Sequence, residues 1–281
     1  MPIRIRPLSD AIGAEIEGID LEEDVSDEVF DWLIDTWRTH QVLLFRNQHV
    51  GDTRLLSFAN RFGALDPAPY IDAKVTHPPE FPEISVVSNV LVNGEPIGSL
   101  SNHELAWHSD MTFQEVPPVG CILHAWEAPS DEGATWFTSL RAALATLSPD
   151  LRGKIRSLKA FHDKTTTSAG TQRHGTQGRA GTFHPLLIRH PTWGEEILLL
   201  GRRKNSFIEA LDDQQSQELL DQIWDHATKP EFSIHHYWKP GDVVIWDNLL
   251  TMHRRDAFSP EVRRILHRAQ IRTLHQHYLA A

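Results

Sequence analysis

The apolar runs of this chain are short, and their brevity decides most of what it can fold into. Segments 41–45, 84–90, 122–127, 135–137, 197–200, 232–237, 242–246 and 265–271 carry β-branched, aromatic or leucine residues, and none exceeds seven positions. Runs of this length bounded by turn residues read as strands buried in a sheet. Asn93-Gly94 between two such runs predicts a hairpin. Helical spacing surrounds this pattern. Val29, Phe30, Leu33 and Trp37 predict a helix over 26–40 with Ser26 as its N-cap, and a second over 53–62 is expected to stop at Gly63, a natural residue just past a helix end. Further helical pattern covers 140–147, 151–158 and 213–228. The expectation is a mainly β core with flanking helices (α+β), forming one domain over 1–281. Residues 164–182, rich in Thr, Gly, Gln and Ser without apolar periodicity, are expected to form a long loop of the kind that closes over active sites.

Charge narrows the partners. Against 38 acidic residues stand 27 basic ones, giving a formal net charge of -11. That balance argues against nucleic acid and anionic membranes, which select a basic footprint. Twenty of the basic residues are Arg, the side chain suited to bidentate grip on carboxylate or sulfonate groups. A single cysteine, Cys121, permits no intrachain disulfide. No run of about 18 apolar residues and no apolar leader segment occurs. A cytoplasmic protein acting on small molecules is expected, as a homo-oligomer (dimer or tetramer).

Histidine is abundant, at 17 residues. His108-Ser109-Asp110 is a His-x-Asp, which in a strand would aim imidazole and carboxylate at one face. Such a pair arises by chance in a chain of this composition. Its weight comes from His253, after Trp246-Asp247-Asn248, and from Arg264 eleven residues later. Two histidines and one carboxylate form the facial triad that suits non-haem Fe(II) and leaves three adjacent coordination positions open. A zinc hydrolase using the same three ligands to activate water is the rival chemistry, and a non-catalytic binder the rival without chemistry.

The run Trp107-His108-Ser109-Asp110-Met111-Thr112-Phe113 with Val116-Pro117-Pro118, the segment ending at His253, and Arg263-Arg264-Ile265-Leu266-His267-Arg268 together resemble the taurine/α-ketoglutarate dioxygenase family, which includes 2,4-dichlorophenoxyacetate dioxygenases. The resemblance implies a double-stranded β-helix (jelly roll, cupin-like). It implies His108, Asp110 and His253 as iron ligands, with Fe(II), 2-oxoglutarate and O2 as the chemical partners. Arg264 and Thr135 are implied to hold the distal carboxylate of 2-oxoglutarate. Arg268 is implied to hold an anionic primary substrate. The family's other substrate contacts fall on Ala68, Ile71 and Glu104, where the residue types depart from those of taurine users, so taurine itself is not the expected substrate. The implied reaction hydroxylates an aliphatic carbon of a small anionic compound and releases succinate and CO2, with carbon–heteroatom cleavage where the hydroxylated carbon bears one. Desaturating, cyclising or decarboxylating chemistry is the alternative within the family. Asp110 argues against halogenation, which needs a small residue at that position.

Overall fold

The computed structural model describes residues 2–69, 78–99, 102–173 and 178–274. The first part carries β1 (Arg4–Pro7), β2 (Ala14–Glu17), α1 (Asp27–His40), β3 (Val42–Phe45), α2 (Asp52–Phe62), β4 (Gly63–Asp66) and β5 (Ser85–Ser88). A hairpin of β6 (Leu91–Val92) and β7 (Glu95–Pro96) precedes β8 (Leu105–His108), β9 (Gly120–Glu127) and β10 (Thr135–Ser139). Next come α3 (Leu140–Thr146), α4 (Pro149–Ile155), β11 (Lys159–Asp163), β12 (Gly181–Pro185), β13 (Leu187–Arg189), β14 (Glu196–Leu198) and α5 (Asp213–Ala227). The last strands are β15 (Ser233–His236), β16 (Val243–Asp247), β17 (Thr251–Arg255) and β18 (Ile265–Leu274).

Two sheets organise these strands. The larger runs β1-β2-β3-β16-β9-β18-β4, with β5 also paired to β18; the smaller runs β15-β10-β17-β8. Strand β16 shows why its sequence lacks polar alternation. Val243 and Ile245 enter a cluster with Phe30, Leu33 and Trp37 of α1 and Phe58 of α2, on the outer face. Val244 and Trp246 point the other way, into a layer with Leu123 of β9 and with Phe137 and Ile234 of the smaller sheet. Both faces are buried, so Val243 to Trp246 are all apolar. A third cluster packs α3, α4 and α5 behind the smaller sheet, through Leu140, Leu220, Ile223 and Met252. Mainly β with flanking helices is therefore the observed class. Among the described residues no helix is long and apolar enough to cross a membrane.

Local chemistry accounts for most boundaries. Ser26 caps α1 by accepting from the Val29 amide, and Ser148 and Pro149 start α4 two residues earlier than its apolar pattern suggests. Asn93 and Gly94 both take positive φ, 53° and 80°, as a tight hairpin turn requires. Gly63 does end α2, but for a different reason from the expected left-handed cap. Its backbone is extended, and a Cβ there would lie 1.8 Å from the Thr273 carbonyl oxygen, so glycine allows β4 to approach β18. Strand β14 is shorter than the apolar run 197–200. Strand β17, Thr251-Met-His-Arg-Arg, had no strand signature in the sequence, because its two charged arginines argue for solvent, yet Arg255 is buried.

Candidate active site

Strands β8 and β17 are neighbours in the smaller sheet, and their register sets His108 directly opposite His253. The two ring centroids are 4.2 Å apart. Asp110 lies beyond the strand end, in a turn whose next residue, Met111, takes φ of 56°. The His-x-Asp pair is thus a strand end plus a turn, not two positions on one strand face. One ligand atom from each of His108, Asp110 and His253 lies within 4.8 Å of the others, and all three residues are buried. Among the described residues no other group of three or more His, Cys, Asp or Glu is so arranged.

Hydrogen bonds position His108 and Asp110, and ring packing positions His253. Nδ1 of His108 lies 2.7 Å from the Ala106 carbonyl oxygen, to which it donates, and this leaves Nε2 with its lone pair facing Asp110 Oδ1 at 3.7 Å. His253 Nε2 stands 4.0 Å from Asp110 Oδ2, with its ring set against Trp246 and Phe137. The Asp110 amide donates to Asn248 Oδ1 at 2.7 Å, while Asn248 Nδ2 donates to the carbonyls of Asp110 (3.0 Å) and Pro118 (2.9 Å). Asn248 sits in a turn locked by Asp247, whose Oδ1 accepts from the amides of Leu249 and Leu250, and whose Oδ2 accepts from Trp193 Nε1. Ser109 Oγ donates to the Thr251 carbonyl and ties the two strands together.

Burial, reinforced by His253, pushes His108 down to about 3, and burial likewise lowers His253. Both imidazoles are therefore neutral and able to ligate. Burial alone would raise Asp110, but Arg268, then His253 and His108, outweigh it and hold the carboxyl below the usual carboxylate range. Neutral nitrogen donors plus one ionised oxygen donor, all on one side, fit an octahedral ion with open positions.

A cleft opens above this cluster. Its other walls include Leu105, Phe113, Thr167, Ser168 and three arginines, Arg173, Arg202 and Arg268. Arg264 is buried elsewhere, at the start of β18. Burial and the nearby Arg255 push its pKa well below the arginine range. It pairs with no carboxylate among the described residues, and its Nε has no hydrogen-bond partner. A buried cation lacking an anion fits an acidic co-substrate. Thr135 stands opposite Arg255 in the sheet. Trp238 Nε1 donates to Thr135 Oγ1 at 2.8 Å, which leaves the hydroxyl proton free to donate to a carboxylate.

A family model described as taurine catabolism dioxygenase TauD, TfdA family matches residues 4–270. The chain belongs to this dioxygenase family. It is 30% identical over 283 residues to pentalenolactone F synthase of Streptomyces arenae, covering 94% of this chain and 93% of that one. It is also 30% identical over 285 residues to the alpha-ketoglutarate-dependent 2,4-dichlorophenoxyacetate dioxygenase of Cupriavidus pinatubonensis, covering 96% and 97%. The solved structure of AAD-2 in complex with Mn(II) and N-oxalylglycine superposes with a TM-score of 0.80 at 26% identity, covering 97% of this chain and 98% of that one. The chain is accordingly an Fe(II)/2-oxoglutarate-dependent oxidoreductase that uses O2.

The remaining site expectations for a dioxygenase of this family fare unevenly. Arg268 does line the cleft, but its Nη1 donates to Asp110 Oδ2 at 3.0 Å. Glu104 does not line the cleft. It precedes β8 on the exposed side, and its carboxylate lies 3.8 Å from Arg254, which sits against Trp107 and Trp136. Ala68 is buried but outside the cleft wall, where its neighbour Pro69 stands instead. Ile71 lies outside the described residues. Sequence reasoning missed Arg202, inside Gly201-Arg202-Arg203-Lys204, because a basic run reads as a solvated face. Arg203 and Lys204 behave that way, bonding to Asp221 and to the Gly170 carbonyl, whereas Arg202 is buried. The preceding glycine was the available signal, since a Cβ on Gly201 would lie 2.3 Å from both Thr112 Oγ1 and His162 Nδ1.

Proposed function

We propose that this chain holds Fe(II) on His108, Asp110 and His253, takes the distal carboxylate of 2-oxoglutarate on Arg264 and Thr135, and hydroxylates an aliphatic carbon of a small anionic organic compound. The observation that carries this reading is the buried His108–Asp110–His253 cluster at the floor of a cleft walled by three arginines. Iron bound there, with 2-oxoglutarate and O2, supplies the oxidising power, and the co-substrate leaves as succinate and CO2. Asn248 and the Ala106 carbonyl hold the ligands in place beforehand, so little reorganisation accompanies metal binding. Leu105, Met111 and Phe113 line an apolar wall that excludes water from the reacting carbon. Relatives named for an aryloxyacetate, an alkyl sulfate and a sulfate ester support an anionic substrate. Where the hydroxylated carbon bears oxygen or sulfur, the product collapses with cleavage of that bond.

The same reading takes the two facing sheets as a double-stranded β-helix within one domain over 1–281. The loop 164–182 is its lid, supported by Thr167, Ser168 and Arg173 in the cleft wall and by the Ala106 amide donating to the Ser168 carbonyl. A cytoplasmic enzyme is the accompanying assignment, supported by a lone buried Cys121, and a homo-oligomer is proposed with it. The test is anaerobic reconstitution with Fe(II) and 2-oxoglutarate. A visible charge-transfer band is expected in the native protein and not in Asp110→Ala, which should also lose substrate-triggered succinate formation. Failure of the native protein to bind Fe(II), or hydroxylation retained in the variant, would refute the ligand assignment.

A further inference from the structure

The cleft above His108, Asp110 and His253 holds a second buried cation that the dioxygenase reading leaves without a task. Arg202 is only 8% exposed, yet it lines the cleft wall. Gly201 lets the chain pass close against Thr112 and His162, and the guanidinium then projects over Phe113, its carbon 5.3 Å from the ring centroid. Arg173 approaches the same ring at 4.8 Å. Nη1 of Arg202 donates to the Thr166 carbonyl, and Nη2 lies 3.4 Å from the Asp163 carbonyl.

Those carbonyls orient the fork without neutralising it. Asp163 itself is occupied, accepting from the amides and hydroxyls of Thr165 and Thr166 and from Asn205. Among the described residues no carboxylate lies within salt-bridge distance of Arg202. Burial, then Arg173, bring its pKa down to about 10, against the partial support of the nearby Asp110 and Asp163 carboxylates. The carboxylate lining the cleft, Asp110, is already engaged by Arg268. A buried guanidinium with no carboxylate in direct contact is costly to maintain. An anion entering the cleft would supply the direct contact that no described carboxylate makes. 2-Oxoglutarate is the wrong source, because its distal carboxylate has Arg264.

We propose that Arg202 binds the anionic group of the primary substrate, a carboxylate or a sulfo oxyanion, while Arg268 serves first to hold Asp110. This assignment rests on the dioxygenase reading. Arg202 offers a planar fork, pre-aimed by two carbonyls, that matches two oxygens of such a group. The substrate body then lies against Phe113 and Leu105, toward the metal cluster.

The experiment uses protein loaded anaerobically with Fe(II) and saturating 2-oxoglutarate, and follows the shift of the visible band on titration. The probes are phenoxyacetate beside its neutral amide, and hexyl sulfate beside hexanol. The native protein should bind at least one anion about tenfold or more tighter than its neutral partner, and the pair that does so identifies the oxyanion. R202Q, which keeps a donor for the Thr166 carbonyl, should lose about 10- to 100-fold in anion affinity. Its affinity for the neutral probe and for 2-oxoglutarate should stay within about twofold of native, which a merely structural role would not allow. Should R202Q fail to fold, Arg202→Lys carries the test: it should keep the anion preference while losing several-fold affinity, and unchanged affinity would count against a bidentate anchor. A native protein with no anion preference, or an R202Q variant that retains it, overturns the assignment. No band in the native protein would instead overturn the dioxygenase reading beneath it.

Discussion

Asn248 carries no chemistry of its own, yet its truncation to alanine is expected to disable the metal cluster. Its amide makes three buried hydrogen bonds, one from the Asp110 amide and two to the carbonyls of Asp110 and Pro118. Alanine leaves a buried donor unsatisfied and removes one partner from each carbonyl. An unsatisfied buried group costs about 1–3 kcal/mol, with carbonyls at the low end because each keeps a second lone pair. The sum is about 4 kcal/mol, and a water entering the vacated space brings it to about 3. For 281 residues the entropy of unfolding is about 0.6 kcal/mol/K, so Tm should fall by roughly 5 °C. Loss of the tether frees the Asp110 turn, and Fe(II) affinity should drop about 10- to 100-fold. Calorimetry of the metal-free protein reads the first effect, and anaerobic Fe(II) titration under 2-oxoglutarate reads the second. Asn248→Asp, which keeps the volume but loses both donors, should show a similar loss of iron affinity. A variant that melts about 5 °C lower and still binds Fe(II) as native protein does would refute the coupling.

Arg264→Ala should raise the apparent KM for 2-oxoglutarate about 10- to 100-fold and that for the primary substrate far less; equal changes measured by succinate release would contradict its role. Gly63→Ala forces a Cβ to within 1.8 Å of the Thr273 oxygen, so β4 must part from β18, and urea unfolding should register a loss of about 3 kcal/mol or failure to fold. His162 is buried with neither ring nitrogen hydrogen-bonded, and burial, then His184, lower it to about 3. Between pH 6.5 and about 3 the unfolded chain takes up a proton that the folded ring refuses, so stability falls with acidification through that window and is unaffected above it. At pH 5 this amounts to about 2 kcal/mol, and His162→Phe should flatten the urea midpoint between pH 7 and 5; an unaltered slope would exclude His162 as a source.

What the sequence disclosed depended on whether the signal was local. The cap at Ser26, the Asn93-Gly94 turn and the two-faced apolar run Val243–Trp246 follow from chemistry within a few residues, and each was legible. The members of the His108–Asp110–His253 cluster were legible by type and by family motif, although Asp110 reaches it from a turn and not from a strand face. Strand β17 was hidden because its two arginines argue for solvent, while Arg255 is buried. That Glu104 and Ala68 stand outside the cleft wall was not legible, because position along the chain says nothing of which side of β8, or of the cleft, a residue faces. Arg202 was invisible for the opposite reason: its burial comes from distant Thr112, His162 and Phe113, none of them near it in sequence.

Because His108 and His253 occupy facing rungs of adjacent antiparallel strands, their spacing is inherited from a single ladder of backbone bonds. Loops in the long stretch of chain between them can grow or shrink without moving either imidazole, as long as β10 and β16 keep their places against β17. One residue inserted within β17 ahead of His253, by contrast, would turn that ring to the far side of the sheet. Substrate-facing loops can therefore diversify around an anchorage that tolerates almost no slippage.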